Sequence, residues 1–288
     1  MGRLVILAGG ISSRMKKPVS SEIQLDENLI NDAEQKSKSM IRVGEGEKPF
    51  LNYLLINAEK AGYNEIVIVV NEKDNSIVNY YSLKQNLCDF EELEISFAIQ
   101  PIPEGREKPM GTADALYHAL LVKPQWNGKK FTMCNSDNLY SVTALKLLLK
   151  SPYPNSMIDY DRDGLEFEKE RIEKFAVTKK NPENFLTDII EKPSAEEIDY
   201  IKTKDGYVGV SMNIFRFNYD MILPLLEITP INQIRNEKEI PTAVRMMIDK
   251  YPNSLFTYRL SEPVPDLSSK IDILKVKEFL QNKFDITT

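Results

Sequence analysis

The feature that most constrains this chain is the short apolar run at residues 3–8 (RLVILA), which breaks directly into two glycines. A continuous apolar run of this length, bounded by turn residues, reads as a fully buried strand. Such strands belong to sheets covered on both faces. Similar runs return at 65–70 (EIVIVV), 94–99 and 130–135, with helical spacing between them. At 50–61, Phe50, Leu54, Leu55 and Ala58 fall on one helical face, and further helical stretches lie near 112–121 and 141–150. This βαβα rhythm predicts an α/β fold: a mixed, mostly parallel sheet flanked by helices. After residue 151 the strands at 174–179, 186–190 and 207–217 alternate more, which predicts antiparallel additions. Helices near 218–226, 240–249 and 270–282 close the chain.

The 288 residues contain no repeat and no convincing linker, so a single domain over 1–288 is expected. The net charge of -6 argues against broad nucleic-acid binding, which needs a basic footprint. An acidic protein that handles phosphates must concentrate its cations locally. No apolar run approaches the roughly 20 residues that span a bilayer. No leader pattern precedes the first strand, and Cys88 and Cys134 make no disulfide framework. Both thiols are expected to be reduced and the protein cytoplasmic; self-association is left open. Residues 16–37 are charged and poor in apolar side chains, with room for a short helix around 27–36. A segment of that length is either a lid or a solvated excursion.

The first turn reads LAGGISSRM over residues 7–15. Gly9 and Gly10 allow a sharp turn and close approach to a ligand. Successive backbone N–H groups after Leu7 and Ala8 can form an anion nest, Ser12 and Ser13 can add hydroxyls, and Arg14 brings a forked, permanent cation. Together, at the carboxyl end of a first strand, they point to phosphate binding, because open α/β sheets bind ligands there. The segment is neither a Walker loop nor a GxGxxG turn.

These residues resemble the signature loop of nucleotidyltransferases such as glucose-1-phosphate thymidylyltransferases and uridylyltransferases. LAGG-x-SSRM is also similar to the loop of cytidylyltransferases acting on molybdopterin. Residues 38–49 (KSMIRVGEGEKP) resemble the family's Lys-x-Met/Leu-x-Pro-Val stretch, with Arg42 in place of the usual proline. The resemblance implies that Lys38 is the catalytic lysine, that Gln100 in IQPIP (99–103) helps read the base, and that Gly111 and Thr112 of GTADAL (111–116) lie beside base and ribose. It further implies a metal aspartate at Asp137 in CNSDN (134–138), and an acceptor motif at Glu191 and Lys192 in IEKP (190–193). Asn213, in the 207–217 strand, stands where relatives line the substrate. The implied fold is a Rossmann-like, GT-A-type nucleotide-diphospho-sugar transferase fold, with a nucleotide-binding half over about 1–150 and an acceptor-binding half over about 151–288. The implied reaction joins a nucleoside triphosphate to a sugar phosphate or similar small phosphate, with Mg²⁺ as cofactor and pyrophosphate released.

Asp137 follows a buried strand, where an aspartate either holds Mg²⁺ against a triphosphate or serves as a turn residue. Glu191 and Lys192 end a strand stopped by Pro193; they meet an acceptor or form a surface ion pair. An acceptor phosphate is already ionised, so catalysis needs positioning and charge neutralisation by groups such as Arg14 and Lys38, without a general base. His118 is read as structural or exposed. Relatives carry a second metal aspartate late in the chain; at the stretch taken as comparable, 237–244 (EKEIPTAV), Pro241 and Thr242 stand instead. Either one carboxylate suffices, or Glu239 or a neighbour substitutes. Two other readings compete. A GT-A glycosyltransferase would use an Asp-x-Asp pair such as that in DYDRD (159–163), and a non-catalytic nucleotide-binding regulator would tolerate the missing aspartate.

Overall fold

The computed structural model describes residues 1–12, 15–16, 26–44, 47–83, 90 and 92–283. Among them, nine strands form one mixed sheet: β1 (Gly2–Leu7), β2 (Tyr63–Asn71), β3 (Glu94–Gln100), β4 (Lys130–Asn135), β5 (Asn155–Asp161), β6 (Val177–Lys180), β7 (Leu186–Ile190), β8 (Gly209–Asn218) and β9 (Leu255–Leu260). The main path runs β3-β2-β1-β4-β8-β5-β9. The β3-β2-β1-β4 half is parallel throughout. β8 runs antiparallel to β4, β5 and β6, and β7 antiparallel to β6, so the expected antiparallel additions are present. β9 was not anticipated; it extends the sheet by pairing parallel to β5.

Ten helices accompany these strands among the described residues: α1 (Glu27–Gln35), α2 (Phe50–Ala61), α3 (Ser76–Tyr81), α4 (Thr112–Leu121), α5 (Val142–Leu149), α6 (Lys169–Ile172), α7 (Ala195–Ile201), α8 (Tyr219–Ile228), α9 (Ile240–Lys250) and α10 (Lys270–Lys283). Strand periodicity sorts them into two layers. Leu4 and Ile6 of β1 face a core shared with α1, α2, α5 and α10. Val5 and Leu7 face the opposite core, built with α4, α8 and α9. A sheet buried on both faces explains the unbroken apolar runs of β1 and β2.

The helix expected around 27–36 is α1. It is pinned by Arg42, the residue that stands where the family has proline. The Arg42 guanidinium donates from Nε to Asp32 Oδ2 at 2.7 Å and from Nη2 to Oδ1 at 3.0 Å. Lys36 adds a 2.7 Å ion pair to the same carboxylate. Burial pushes the Asp32 carboxyl up, but the hydrogen bonds from Arg42 and Lys36 outweigh it and hold it below the usual carboxylate range. A depressed folded-state pKa contributes stability at neutral pH that is lost as pH falls through the carboxylate range. Arg42→Ala is therefore expected to cost about 1–3 kcal/mol, the scale for stripping a buried acceptor of its partner. Amide exchange in α1 should speed up in this variant, and the difference from wild type should shrink under acid conditions. Whether residues 16–37 close as a lid is a question that falls partly outside the described residues.

Candidate functional site

The carboxyl ends of the parallel strands are in register: Leu7 lies opposite Asn135, and Asn71 opposite Gln100. β1 connects outward to β2 on one side and has β4 on the other, so the strand order reverses between β1 and β4. A crevice outside such a reversal is where open α/β sheets take ligands. A cavity of about 230 Å³ opens there.

The first turn forms one wall. The β1 chain continues through Ala8, whose N–H donates to Val69 O at 2.8 Å, and Ser136 N–H donates back to Leu7 O at 3.1 Å. At Gly9 a Cβ would stand 2.9 Å from Gln100 Oε1, so only glycine lets the turn lie this close to the glutamine. Gly10 faces open space. Ser12 takes a positive φ of 55° and accepts a 3.2 Å hydrogen bond from Lys38 N–H. The hydroxyl therefore seats the Lys38 backbone as well as lining the cavity. Ser13 and Arg14 lie outside the described residues.

Lys38 begins a single helical turn (Lys38–Met40) that aims its amine across the cavity, 3.0 Å from Asp137 Oδ2. The two side chains are 15% and 25% exposed, which makes this a partly desolvated pair open to a ligand. Gln100, Gly111 and Thr112 form the far wall. Gln100 is 2% exposed, and its amide nitrogen donates to Gly111 O at 2.9 Å. Gly111 caps α4 at φ +105°, and a Cβ there would sit 2.6 Å from Lys238 O. Gly111→Ala is expected to cost about 2–4 kcal/mol through strain and overpacking, read as a lower urea midpoint. Thr112 Oγ1 accepts Ile240 N–H at 3.1 Å and ties this wall to α9.

Two residues that the sequence reading did not single out line the cavity. Lys108 and Glu237 pair at 2.6 Å, joining the 101–111 loop to the segment before α9. Asp266, in the stretch VPDLSSK, lies behind Asp137 and lines a separate cavity with Arg171 and Asp272. It bridges to Asn138, next to Asp137, while Leu267 N–H donates to Asp137 O at 2.8 Å. Burial first, then the neighbouring Asp137 charge, push the Asp266 carboxyl above its ordinary range. The Arg171 guanidinium pulls the other way; it is paired with both Asp266 and Asp272.

Glu239 does not take the place the sequence reading offered it. Its carboxylate is held by Arg235 at 2.6 Å and Asn232 at 2.7 Å, and it does not line the cavity. Glu237, a neighbour of Glu239, is the acidic side chain that lines the cavity together with Asp137. The Asp-x-Asp alternative in 159–163 also fails geometrically. Asp159 is fully buried and bound to Thr178, Lys180 and Tyr207, and Asp161 accepts from Ser261 Oγ at 3.0 Å.

The candidate acceptor residues stand apart from this cavity but at the same edge of the sheet. β8 pairs antiparallel with β4 through Met133 and Phe215, and Asn213 lies two residues beyond, toward the carboxyl end of β4. It sits in a bulge of β8 at φ 54°, and bulges re-aim side chains in this way. Ile190 ends β7 opposite Val177, which pairs in turn with Val210 of β8, so Glu191 and Lys192 emerge on that side. Glu191 lies 3.6 Å from Arg235, and Lys192 is exposed at φ 50°. His118 is half-buried, with Nε2 3.8 Å from Asp114 Oδ1. Cys134 is free and fully buried, and burial pushes its thiol up. Cys88 lies outside the described residues.

Comparison with known proteins agrees with this architecture. The chain is 22% identical over 219 residues to glucose-1-phosphate adenylyltransferase 2 of Vibrio cholerae, covering 76% of this chain and 49% of that protein. It is 22% identical over 294 residues to glucose-1-phosphate adenylyltransferase of Nitrosospira multiformis, covering 98% of this chain and 63% of that protein. The chain thus spans about half to two thirds of these relatives' length. Among solved structures, a UDP-glucose pyrophosphorylase complexed with UDP-glucose superposes with a TM-score of 0.68 at 17% identity, covering 98% of this chain and 99% of that one. UDP-glucose pyrophosphorylase from Acinetobacter baumanii gives 0.66 at 17% identity over the whole of both chains. At these identities the likeness speaks for the fold. The family model described as Nucleotidyl transferase matches residues 3–261, from the first strand to just past the last, and the chain belongs to that family.

Proposed function

We propose that this protein transfers a nucleotidyl group from a nucleoside triphosphate to a sugar phosphate, giving a nucleoside-diphosphate sugar and pyrophosphate. The observation that carries the reading is the Lys38 amine paired with Asp137 inside a cavity at the β1/β4 reversal. The hard oxygens of Asp137 fit Mg²⁺, which takes one or two carboxylates and completes its shell with water and phosphate oxygens. When bound, Mg²⁺ would neutralise triphosphate charge.

The residues divide the remaining work. The turn from Leu7 through Ser12, with Arg14, cradles the phosphates, while Gln100, Gly111 and Thr112 take the base and ribose. Glu191, Lys192 and Asn213 hold the acceptor at the adjoining edge. An acceptor phosphate oxygen forms a bond to the α-phosphorus, and the bond from that phosphorus to the α,β-bridging oxygen breaks. The electron pair leaves with pyrophosphate, whose growing charge Lys38 is placed to offset. We place the reaction in the cytoplasm on composition; no helix among the described residues is long and apolar enough to cross a membrane.

Pyrophosphate release from a panel of nucleoside triphosphates and sugar phosphates, with Mg²⁺ and with chelator, tests the reading. Release is expected only when triphosphate, sugar phosphate and Mg²⁺ are all present. Nucleotide binding without release from any combination would overturn it in favour of the regulator.

A further inference from the structure

The Gln100 side chain is more constrained than a base-facing glutamine needs to be. Its amide nitrogen carries two hydrogens. It donates to Gly111 O at 2.9 Å and to Asp114 Oδ2 at 2.7 Å, so both are used. The amide oxygen is left on the other side, against Gly9, in the wall of the cavity. Among the described residues nothing donates to that oxygen. Asp114 itself does not line the cavity. It stands in the first turn of α4, 14% exposed, with its second oxygen 3.8 Å from His118.

The carboxylate makes the arrangement one-way. A carboxylate only accepts hydrogen bonds, and so does a backbone carbonyl. Turning the Gln100 amide over would set its oxygen against two acceptors at under 3 Å and leave its N–H groups facing Gly9. In a site 2% exposed, water does not relieve that mismatch. The glutamine therefore offers the cavity an acceptor and never a donor.

We infer that Asp114 is a positioning residue for nucleobase selection: by holding the Gln100 amide nitrogen it fixes the amide oxygen toward the base, so that the site accepts a base edge bearing an N–H at that point. The inference rests on the proposed placement of the base against Gln100. It concerns selectivity among triphosphates and leaves the transfer step untouched.

Two matched pairs of nucleotides read it directly. ATP and ITP exchange donor for acceptor along one base edge at nearly constant shape, and so do CTP and UTP. Calorimetric affinities with Mg²⁺ are expected to differ by about tenfold or more within at least one pair for the wild-type protein, the size of one hydrogen bond gained or opposed. In Asp114→Asn the new amide either donates or accepts, so only Gly111 O still orients the Gln100 amide, and that ratio should fall severalfold. Asp114→Ser, whose hydroxyl has the same freedom, should behave alike and serves if the asparagine variant does not fold. Asp114→Glu keeps an acceptor-only partner and should retain part of the preference. A folded Asn or Ser variant with the wild-type ratio would overturn the inference, as would a wild-type protein that binds both members of each pair equally. In either case triphosphate binding and pyrophosphate release persist, so the proposed function stands. A protein that binds no triphosphate overturns both.

Discussion

Asp137→Asn is expected to lower turnover by about 10²–10³-fold, the scale for losing one preorganised electrostatic contact at a reacting centre. Asparagine has the same shape, so the fold should survive. The backbone carbonyl of Asp137 still accepts Leu267 N–H, and the β4 ladder is untouched. What disappears is charge. The Lys38 amine loses its 3.0 Å charged partner, and the cavity loses a carboxylate that fits a divalent cation. Added Mg²⁺ should recover little of the rate, because the lost interaction is a ligand and not an occupancy. Near-normal Mg²⁺-dependent release by a folded Asp137→Asn protein would remove the metal assignment.

Asp137 and Asp266 show where a sequence can be read and where it cannot. The place of Asp137 at a sheet edge is legible because it follows a buried strand within a run of polar turn residues, whereas its metal role is what the family resemblance implies. Asp266 sits in PDLSSK, where local pattern suggests only the approach to a helix. That reading is also true: Asp272 accepts from Ser268 and Ser269 N–H at the start of α10. The bridge partner of Asp266, Asn138, is 128 positions away, and only the folded chain brings them together. The same physics hid β5. Its sequence NSMIDYD buries Asn155, Ser156 and Asp159 among apolar residues, so neither an apolar run nor an alternation is visible. Partners from other elements make that burial tolerable, such as the Asn155 amide donating to Ser254 O at 3.2 Å. The parallel half of the sheet was legible because its strands are apolar on both faces, and the first turn because Gly9 has a steric task that no other residue performs. Arg42 reads in sequence as a departure from a family pattern, and in the structure as the anchor of α1.

Lys38 and Lys192 should fail in different ways. Lys38 is held at three points: its N–H on Ser12, its helical turn against α2, and its amine on Asp137. A cation fixed so firmly in the nucleotide cavity is worth most when negative charge grows nearby, which happens as pyrophosphate departs. Lys38→Ala should therefore lower kcat and leave the KM for either substrate close to its starting value, a pattern that marks an interaction made in the transition state. Lys192 is exposed, does not line that cavity, and follows β7 in the half of the chain assigned to the acceptor. An acceptor phosphate is charged before, during and after transfer, so a lysine that holds it contributes to ground state and transition state alike. Lys192→Ala should raise the acceptor KM with kcat and nucleotide KM nearly unchanged. Each loss should be on the order of 2–4 kcal/mol. Steady-state kinetics with each substrate varied at saturating concentrations of the other separates the two. Should both variants lose nucleotide affinity alone, the acceptor lies elsewhere than the edge formed by β7 and β8. Should neither variant change anything, the family's fold is present without its chemistry, because a nucleotidyl transfer that relies on charge neutralisation does not survive the loss of its cations unaltered.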